Sequence, residues 1–283
     1  MNSTSSTPSD QSIILQAKGV TKRFGGMTAV DQVNFALKEN EVVAILGSNG
    51  AGKTTFFNLL TGLFAPSEGS IHYKGKDITN LSPAERVAMG ITRSFQLTST
   101  FDTLSVIDNL VLAYYRSVKS GSIWSLFTTK TKGLHKLPAI LEALDTFDLL
   151  EIQSRNVQSL SLGEKRRLEI AMAITANPKV LLLDEPLAGL AETEIKGVLG
   201  VLRKQFGKQT ILIVEHKISH IQDFAQRLVV MHDGRIIAEG GYEECMQHPE
   251  VRRSYWQIDD SINEESQNED WGNEASVLTQ TSN

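Results

Sequence analysis

Two things are nearly or wholly missing from this sequence: cysteine, of which Cys245 is the one example, and any apolar run long enough to span a bilayer. One thiol cannot close an internal disulfide, so Cys245 reads as a buried or idle side chain without a role. A membrane-spanning helix needs roughly 18 to 20 apolar residues in succession, and the longest runs here are as short as "VVAIL" and "VLLL". The chain is therefore not expected to cross a membrane unaided. Positive charge is absent after Trp256, where seven acids (Asp259, Asp260, Glu264, Glu265, Glu269, Asp270 and Glu274) stand with no Lys or Arg. Removing those seven from the formal net charge of −5 leaves +2 on the rest. A near-neutral body speaks against a dedicated nucleic-acid binder. The opening "MNSTSSTPSDQS" has neither a basic start nor an apolar stretch, which argues against a signal peptide and leaves a cytosolic location as the expectation. Residues 1–12 read as a flexible polar leader, and residues 258–283 as a disordered acidic tail.

What is present suffices for a large core: 283 residues, 41% of them hydrophobic and 22% charged, point to one large domain or a domain carrying an inserted lobe. "SIILQAKGV", "VNFALKENE" and "SIHYKG" alternate as half-buried strands do. "EVVAILG", "KVLLLDE" and "QTILIVEH" are continuous apolar runs, expected of strands covered on both faces. With helical stretches between the buried strands, the expected fold is α/β: a mostly parallel sheet with an antiparallel β layer near the N-terminus. From about residue 81 to 176 the buried-strand pattern stops and "PAERVAMG", "SVIDNLVLAYYRS", "LPAILEALDTFDLL" and "GEKRRLEIAMAITA" read as an inserted helical subdomain. The piece "SVKSGSIWSLFTTKTKG" reads as an irregular connection within it.

Chemistry enters at "VVAILGSNGAGKTTFFNLLTGL", where Gly47, Ser48, Asn49, Gly50, Ala51, Gly52, Lys53 and Thr54 fit G-x-x-x-x-G-K-[ST] between a buried strand and a helix, with Thr55 next in line. The glycines let backbone amides converge on phosphate oxygens, and the helix start adds its positive dipole end. Lys53 would neutralise the β- and γ-phosphates, and Thr54 would offer its hydroxyl to Mg²⁺, so ATP and Mg²⁺ are the expected cofactors. No N-K-x-D base-reading motif accompanies the loop, which disfavours a GTPase. In "PKVLLLDEP" a buried strand delivers Asp184 and Glu185 at its C-terminal end, where parallel sheets place their ligand crevices. Asp184 fits as a partner of Mg²⁺ and Glu185 as the group that polarises an attacking water. "SLSLGEKRR" is ambiguous: Ser161 and Glu164 match a capping box, while Ser161 and Gly163 at a helix start also suit an anion.

Taken in order, Phe24, the phosphate loop, "SFQ" with Gln96, "LSLGEKRR", "LLLDEP" and "IVEHK" with His216 resemble the ATP-binding cassette family over roughly residues 13–256. The resemblance implies a P-loop NTPase core with an inserted helical subdomain, as an ATP-binding domain over residues 13–257. It also implies that two cassettes pair head to tail, Ser161 and Gly163 of one closing over ATP held by the other. Phe24 would stack on adenine, Gln96 would sense Mg²⁺ and the attacking water, and His216 would contact the γ-phosphate. Leu162 and Glu164 depart from the family's LSGGQ pattern, and Ala191 stands where members usually carry Asp or Asn. Within the family, "GITRSFQLTSTFDTLSVIDNLVLA", "LGEKRRLEIAMAI" and "IIAEGGYEECMQHPEVRRSYW" look like cassettes of uptake systems for branched-chain and other neutral amino acids. Urea and short-chain amide importers share the layout; soluble cassette proteins of repair or translation are a different class of reading, and a third is a regulatory cassette that binds ATP without turnover, against which Glu185 and His216 count. The importer reading implies transmembrane permease subunits, a second cassette that is a copy or a homologous chain, a periplasmic substrate-binding protein acting indirectly, and a peripheral place on the cytoplasmic face of the plasma membrane. Deleting everything after Trp256 is expected to leave ATP turnover and the melting temperature near those of the full chain, because that composition cannot build a core; a large loss in either measurement would make the tail part of the working structure.

Overall fold

The computed structural model describes residues 12–93, 100–118, 135–175, 177–216, 218–222 and 224–256. Gln96, nearly all of the leader, the acidic tail and most of the irregular connection lie outside these residues.

Six strands form the central sheet: β3 (Val42–Leu46), β6 (Ile91–Arg93), β7 (Val180–Asp184), β8 (Thr210–Val214), β9 (Arg227–His232) and β10 (Arg235–Gly240). Their order is β10-β9-β3-β8-β7-β6; all neighbours run parallel except β9 and β10. Continuous apolar sequence explains the centre. Every residue of β3 and β8 is buried, as are the first four of β7, because both faces of the sheet are covered. Alternation along these strands splits the core in two. Val42, Ala44, Leu46, Leu181, Leu183, Ile211 and Ile213 face one apolar cluster, while Val43, Ile45, Val180, Leu182, Leu212 and Val214 face the other.

The second cluster is closed by α1 (Lys53–Thr61) and an antiparallel sheet of order β2-β1-β4-β5, built from β1 (Ile13–Phe24), β2 (Met27–Lys38), β4 (Glu68–Tyr73) and β5 (Lys76–Asp77). Arg227 ties the sheets together: its guanidinium meets Glu41 at 2.7 and 2.9 Å and donates to Ala36 O at 2.6 Å. The first cluster is covered by α3 (Val106–Val118), α4 (Pro138–Thr146), α5 (Leu162–Thr175) and α6 (Glu192–Arg203). Leu110, Ile140, Leu144 and Phe147 of the helical stretch share that cluster with the sheet strands, and Leu168 and Ala171 of α5 belong to it too. Beyond β8 lie the short α7 (Ile218–Ile221), α8 (Tyr242–Gln247) and α9 (Pro249–Trp256). Among the described residues no helix is long and apolar enough to cross a membrane.

The helical reading from residue 81 onward needs correction at its start. α2 (Pro83–Ala88) is helical, but β6 follows as the edge strand of the central sheet, paired Ile91↔Val180 through Arg93↔Leu182. Three residues, "ITR", are too few to display strand periodicity. β9 and β10 were likewise not singled out from the sequence.

α2 is fastened by Arg86, 1% exposed, whose guanidinium donates to five carbonyls: Leu59 O at 2.7 Å, Leu60 O at 2.8 Å, Ile78 O at 2.8 Å, Thr79 O at 3.0 Å and Leu81 O at 3.2 Å. Two of these are carbonyls of the last turn of α1, where internal donors run out; Leu59 O also accepts from the capping Gly62 N at 3.2 Å. Burial lowers the guanidinium pKa to about 10, so the charge persists at neutral pH. Arg86→Leu would remove the guanidinium's bonds to all five carbonyls, of which Leu59 O and Ile78 O keep backbone donors, and is expected to destabilise the chain by about 2 kcal/mol or more in urea unfolding; a change within experimental error would show that water or neighbouring donors take the guanidinium's place.

Candidate functional site

Three buried strands end at one edge of the central sheet. β3 passes into the phosphate loop at Gly47, β7 ends at Asp184, and β8 ends at Val214, opposite Asp184 in the parallel register. The loop is fixed by close approach. A Cβ on Gly47 would stand 2.5 Å from Met231 O, and Gly52 holds φ +95° with Ala29 O filling the space a Cβ would need. The β9–β10 turn secures the far side, with Gly234 N donating to Ala51 O at 3.0 Å and Asp31 N to Gly234 O at 2.8 Å. A cavity of about 530 Å³ results, lined by Asn49 to Thr55, Met27, Thr28, Ala29, Glu185, Asp233 and Gly234. Its floor is the amide-rich loop leading into α1, a helix start suited to phosphate.

Lys53 is buried, its Nζ donating to Gly47 O at 2.7 Å and Ser48 O at 3.0 Å. Burial lowers its pKa, and the charges of Glu185, Asp184 and Glu215 oppose that shift. So the lysine and three carboxylates share one electrostatic neighbourhood. Glu185, the first residue past β7, adopts φ +46°, and its amide donates to Val214 O at 2.9 Å. This turn carries Glu185 into the cavity wall. Asp184 pairs with Arg93 at 2.5 Å, and Arg93 also donates to Asn58 Oδ1 at 2.7 Å while its guanidinium lies 5.0 Å from the Phe57 ring. The Asp184 carboxylate and the exposed Thr54 hydroxyl are hard oxygen donors of the kind Mg²⁺ takes beside phosphate oxygens. Among the described residues no group of three or more His, Cys, Asp or Glu could hold a metal alone.

The remaining expected residues lie apart from the cavity lining. Phe24, 41% exposed, ends β1 with its ring edge-on to Phe64 at 5.4 Å and Lys22 Nζ 5.2 Å away. His216 is exposed just past β8. Ser161 and Gly163 open α5, where Ser161 and Glu164 do form the capping box, Ser161 N donating to Glu164 Oε2 at 2.7 Å and Glu164 N to Ser161 Oγ at 3.2 Å. Leu162 between them is exposed.

A strand-loop-helix phosphate cradle, with a carboxylate pair at the end of a strand two places along the sheet and a capped serine-glycine turn on α5, has counterparts among known proteins. A sequence profile of the ABC transporter family matches residues 30–188, a span that includes all three features. The chain belongs to the ABC transporter family. It is that family's ATP-hydrolysing cassette. Its relatives include the high-affinity branched-chain amino acid transport ATP-binding protein BraF of Pseudomonas aeruginosa, 35% identical over 86% of this chain and 97% of that protein. LivG of Escherichia coli K12, of the same description, is 36% identical with the same coverage. Among solved structures, the ADP conformation of MJ1267, an ATP-binding cassette of an ABC transporter, superposes with a TM-score of 0.73 at 32% identity, over 86% of this chain and 98% of that one. A dimeric post-hydrolysis cassette, MJ0796 bound to ADP and Pi, gives 0.67 at 26% identity, over 81% and 98%.

Sequence reasoning did not single out Arg93, Glu194 or Glu215 in this ABC cassette. Glu215 was legible in principle: it follows an apolar strand as Asp184 does. It is 1% exposed and accepts from Leu187 N at 3.0 Å, joining the end of β8 to the segment after Glu185. Burial raises its carboxyl pKa from 4.5 to about 7, opposed by the Leu187 amide and reinforced by the charge of Glu185. The native chain thus binds this proton more tightly than the unfolded chain. Glu215 therefore costs stability fully above about pH 7, progressively less below it, and nothing beneath about pH 4.5, the whole span amounting to about 3 kcal/mol. Glu215→Gln keeps an acceptor for the Leu187 amide and is expected to melt above the wild-type chain at about pH 8, with most of the gain gone by about pH 5. A melting difference that stays constant over that range would contradict the assignment.

Proposed function

We propose that this cassette energises the uptake of branched-chain or other neutral amino acids, as the peripheral ATPase of an importer on the cytoplasmic face of the plasma membrane. The cavity that unites the phosphate loop, Lys53 and Glu185 carries the chemical half of this reading. The transport half rests on the 35% and 36% identity to BraF and LivG across nearly their whole length. Permease subunits, a second cassette and, indirectly, a periplasmic substrate-binding protein would be its partners. Residues 13–257 would act as the ATP-binding domain, with the helical stretch after β6 as its inserted subdomain.

In this mechanism the amides of Gly47 to Thr55 cradle the phosphates, and Lys53 leaves the carbonyls of Gly47 and Ser48 to neutralise the β- and γ-oxygens. Thr54, Asp184 and Gln96 would hold Mg²⁺, which supplies charge neutralisation at the β- and γ-phosphates when bound. Glu185 orients a water and takes its proton as the water oxygen attacks the γ-phosphorus and the bond to the β-phosphate oxygen breaks. His216 would contact the γ-phosphate and Phe24 would stack on adenine. Ser161 and Gly163 would close over ATP bound in a second cassette, so that binding draws the pair together and hydrolysis releases it.

Lys53→Ala is expected to weaken ATP binding at least tenfold in a titration and to abolish turnover, because a charge-assisted contact to a multiply charged ligand is lost. Glu185→Gln should bind ATP and stall before hydrolysis. Uptake of labelled leucine by cells expressing the transporter should fail with either variant. Leucine uptake that survives both, with ATP turnover gone, would overturn the transport role.

A further inference from the structure

The first turns of α5 and α6 meet on one carboxylate. Glu194 Oε1 accepts from Ser161 Oγ at 3.1 Å and from Gly163 N at 2.9 Å, and Oε2 accepts from Ala191 N at 3.2 Å. Gly163 is buried beneath this side chain. A Cβ added there would stand 2.7 Å from Glu194 Oε1 and 2.9 Å from Glu194 Cβ. The amides of Ala191 and Gly163 hold the Glu194 carboxyl below the usual carboxylate range, with a smaller contribution from the Ser161 hydroxyl, so the group is charged at neutral pH.

We infer that Glu194 is an internal competitor for the anion-binding end of α5, occupying in the unpaired chain the two donors that a second cassette's ATP would use, and so setting the ATP concentration at which the pair closes. The inference rests on the reading of Ser161 and Gly163 as γ-phosphate donors. A phosphate oxygen within hydrogen-bond distance of Gly163 N would fall on the position of Glu194 Oε1. Two anions cannot share one donor at that range, so Glu194 has to swing out before the pair can close. It has somewhere to go, because the bond from Ala191 N belongs to the first turn of α6 itself and can be kept while Oε1 leaves α5. Ala191 bears on the same point: with no side-chain oxygen at the head of α6, that turn depends on Glu194 for its cap.

The test measures ATP-dependent pairing by light scattering against ATP concentration with Mg²⁺, in the Glu185→Gln chain, alone and mixed with the companion cassette of its transporter. Adding Glu194→Gln removes the charge while keeping the size of the side chain and an acceptor for the α6 cap. The half-maximal ATP concentration is expected to fall by about fivefold or more. Glu194→Ala should lower it as well despite a lower melting temperature, which separates loss of a competitor from loss of structure, since a purely structural defect would raise the threshold. A threshold unchanged or raised in Glu194→Gln overturns the inference and leaves the pairing mechanism standing. Absence of any ATP-dependent pair in Glu185→Gln itself overturns the assignment of Ser161 and Gly163, and the inference with it.

Discussion

Parallel pairing of β3, β8 and β7 in a common register is the constraint on which the rest of the structure depends. Val42 pairs with Ile211, Ile45 with Val214 and Asp184 with Val214, so the phosphate loop, the Asp184–Glu185 pair and the Glu215–His216 pair all emerge at one level. The pairing holds because both faces of these strands are apolar and both are covered. A slip by one residue would exchange the two apolar clusters and turn each strand's side chains to the wrong layer. Burial thus fixes the chemistry indirectly. The charged residues sit at the last position of a strand or just past it, because the fully buried stretches admit none.

That edge collects charges that would be costly if buried alone. Lys53 lies against the fields of Asp184, Glu185 and Glu215, and Arg93 pairs with Asp184 while lying over Phe57. Lys53, meanwhile, is bonded to its own loop's carbonyls. A triphosphate with its metal would enter a site where Lys53 and Asp184 already carry partners, so binding exchanges one set of charge contacts for another. Glu215 is the exception, a carboxyl held between two loop segments with burial working against its charge.

The two helix starts behave differently although both are amide-rich. α1 begins beneath an open cavity, its amides aimed into space that a phosphate fits. α5 begins under Glu194, which supplies the negative charge from within the same chain. The same backbone chemistry therefore yields a receptive site in one place and a self-satisfied one in the other. The difference lies in which neighbour reaches the turn.

Local sequence determined much of this protein. The apolar runs of β3, β7 and β8 were readable because a strand buried on both faces needs no polar alternation, and the phosphate loop was readable because glycine spacing dictates backbone course. The Asp184–Glu185 pair followed from its place at a strand end, and the capping box at Ser161 and Glu164 from a spacing of three. Tertiary structure decided the rest. β6 was hidden because three residues carry no period, and it shortened the helical stretch expected from residue 81. Arg93 meets Asp184 across 91 positions of chain and Glu194 meets Gly163 across 31. A sequence displays which groups can bond within a turn or two, but which distant charges meet depends on how the layers pack, and that packing placed a carboxylate of α6 on the donors of α5.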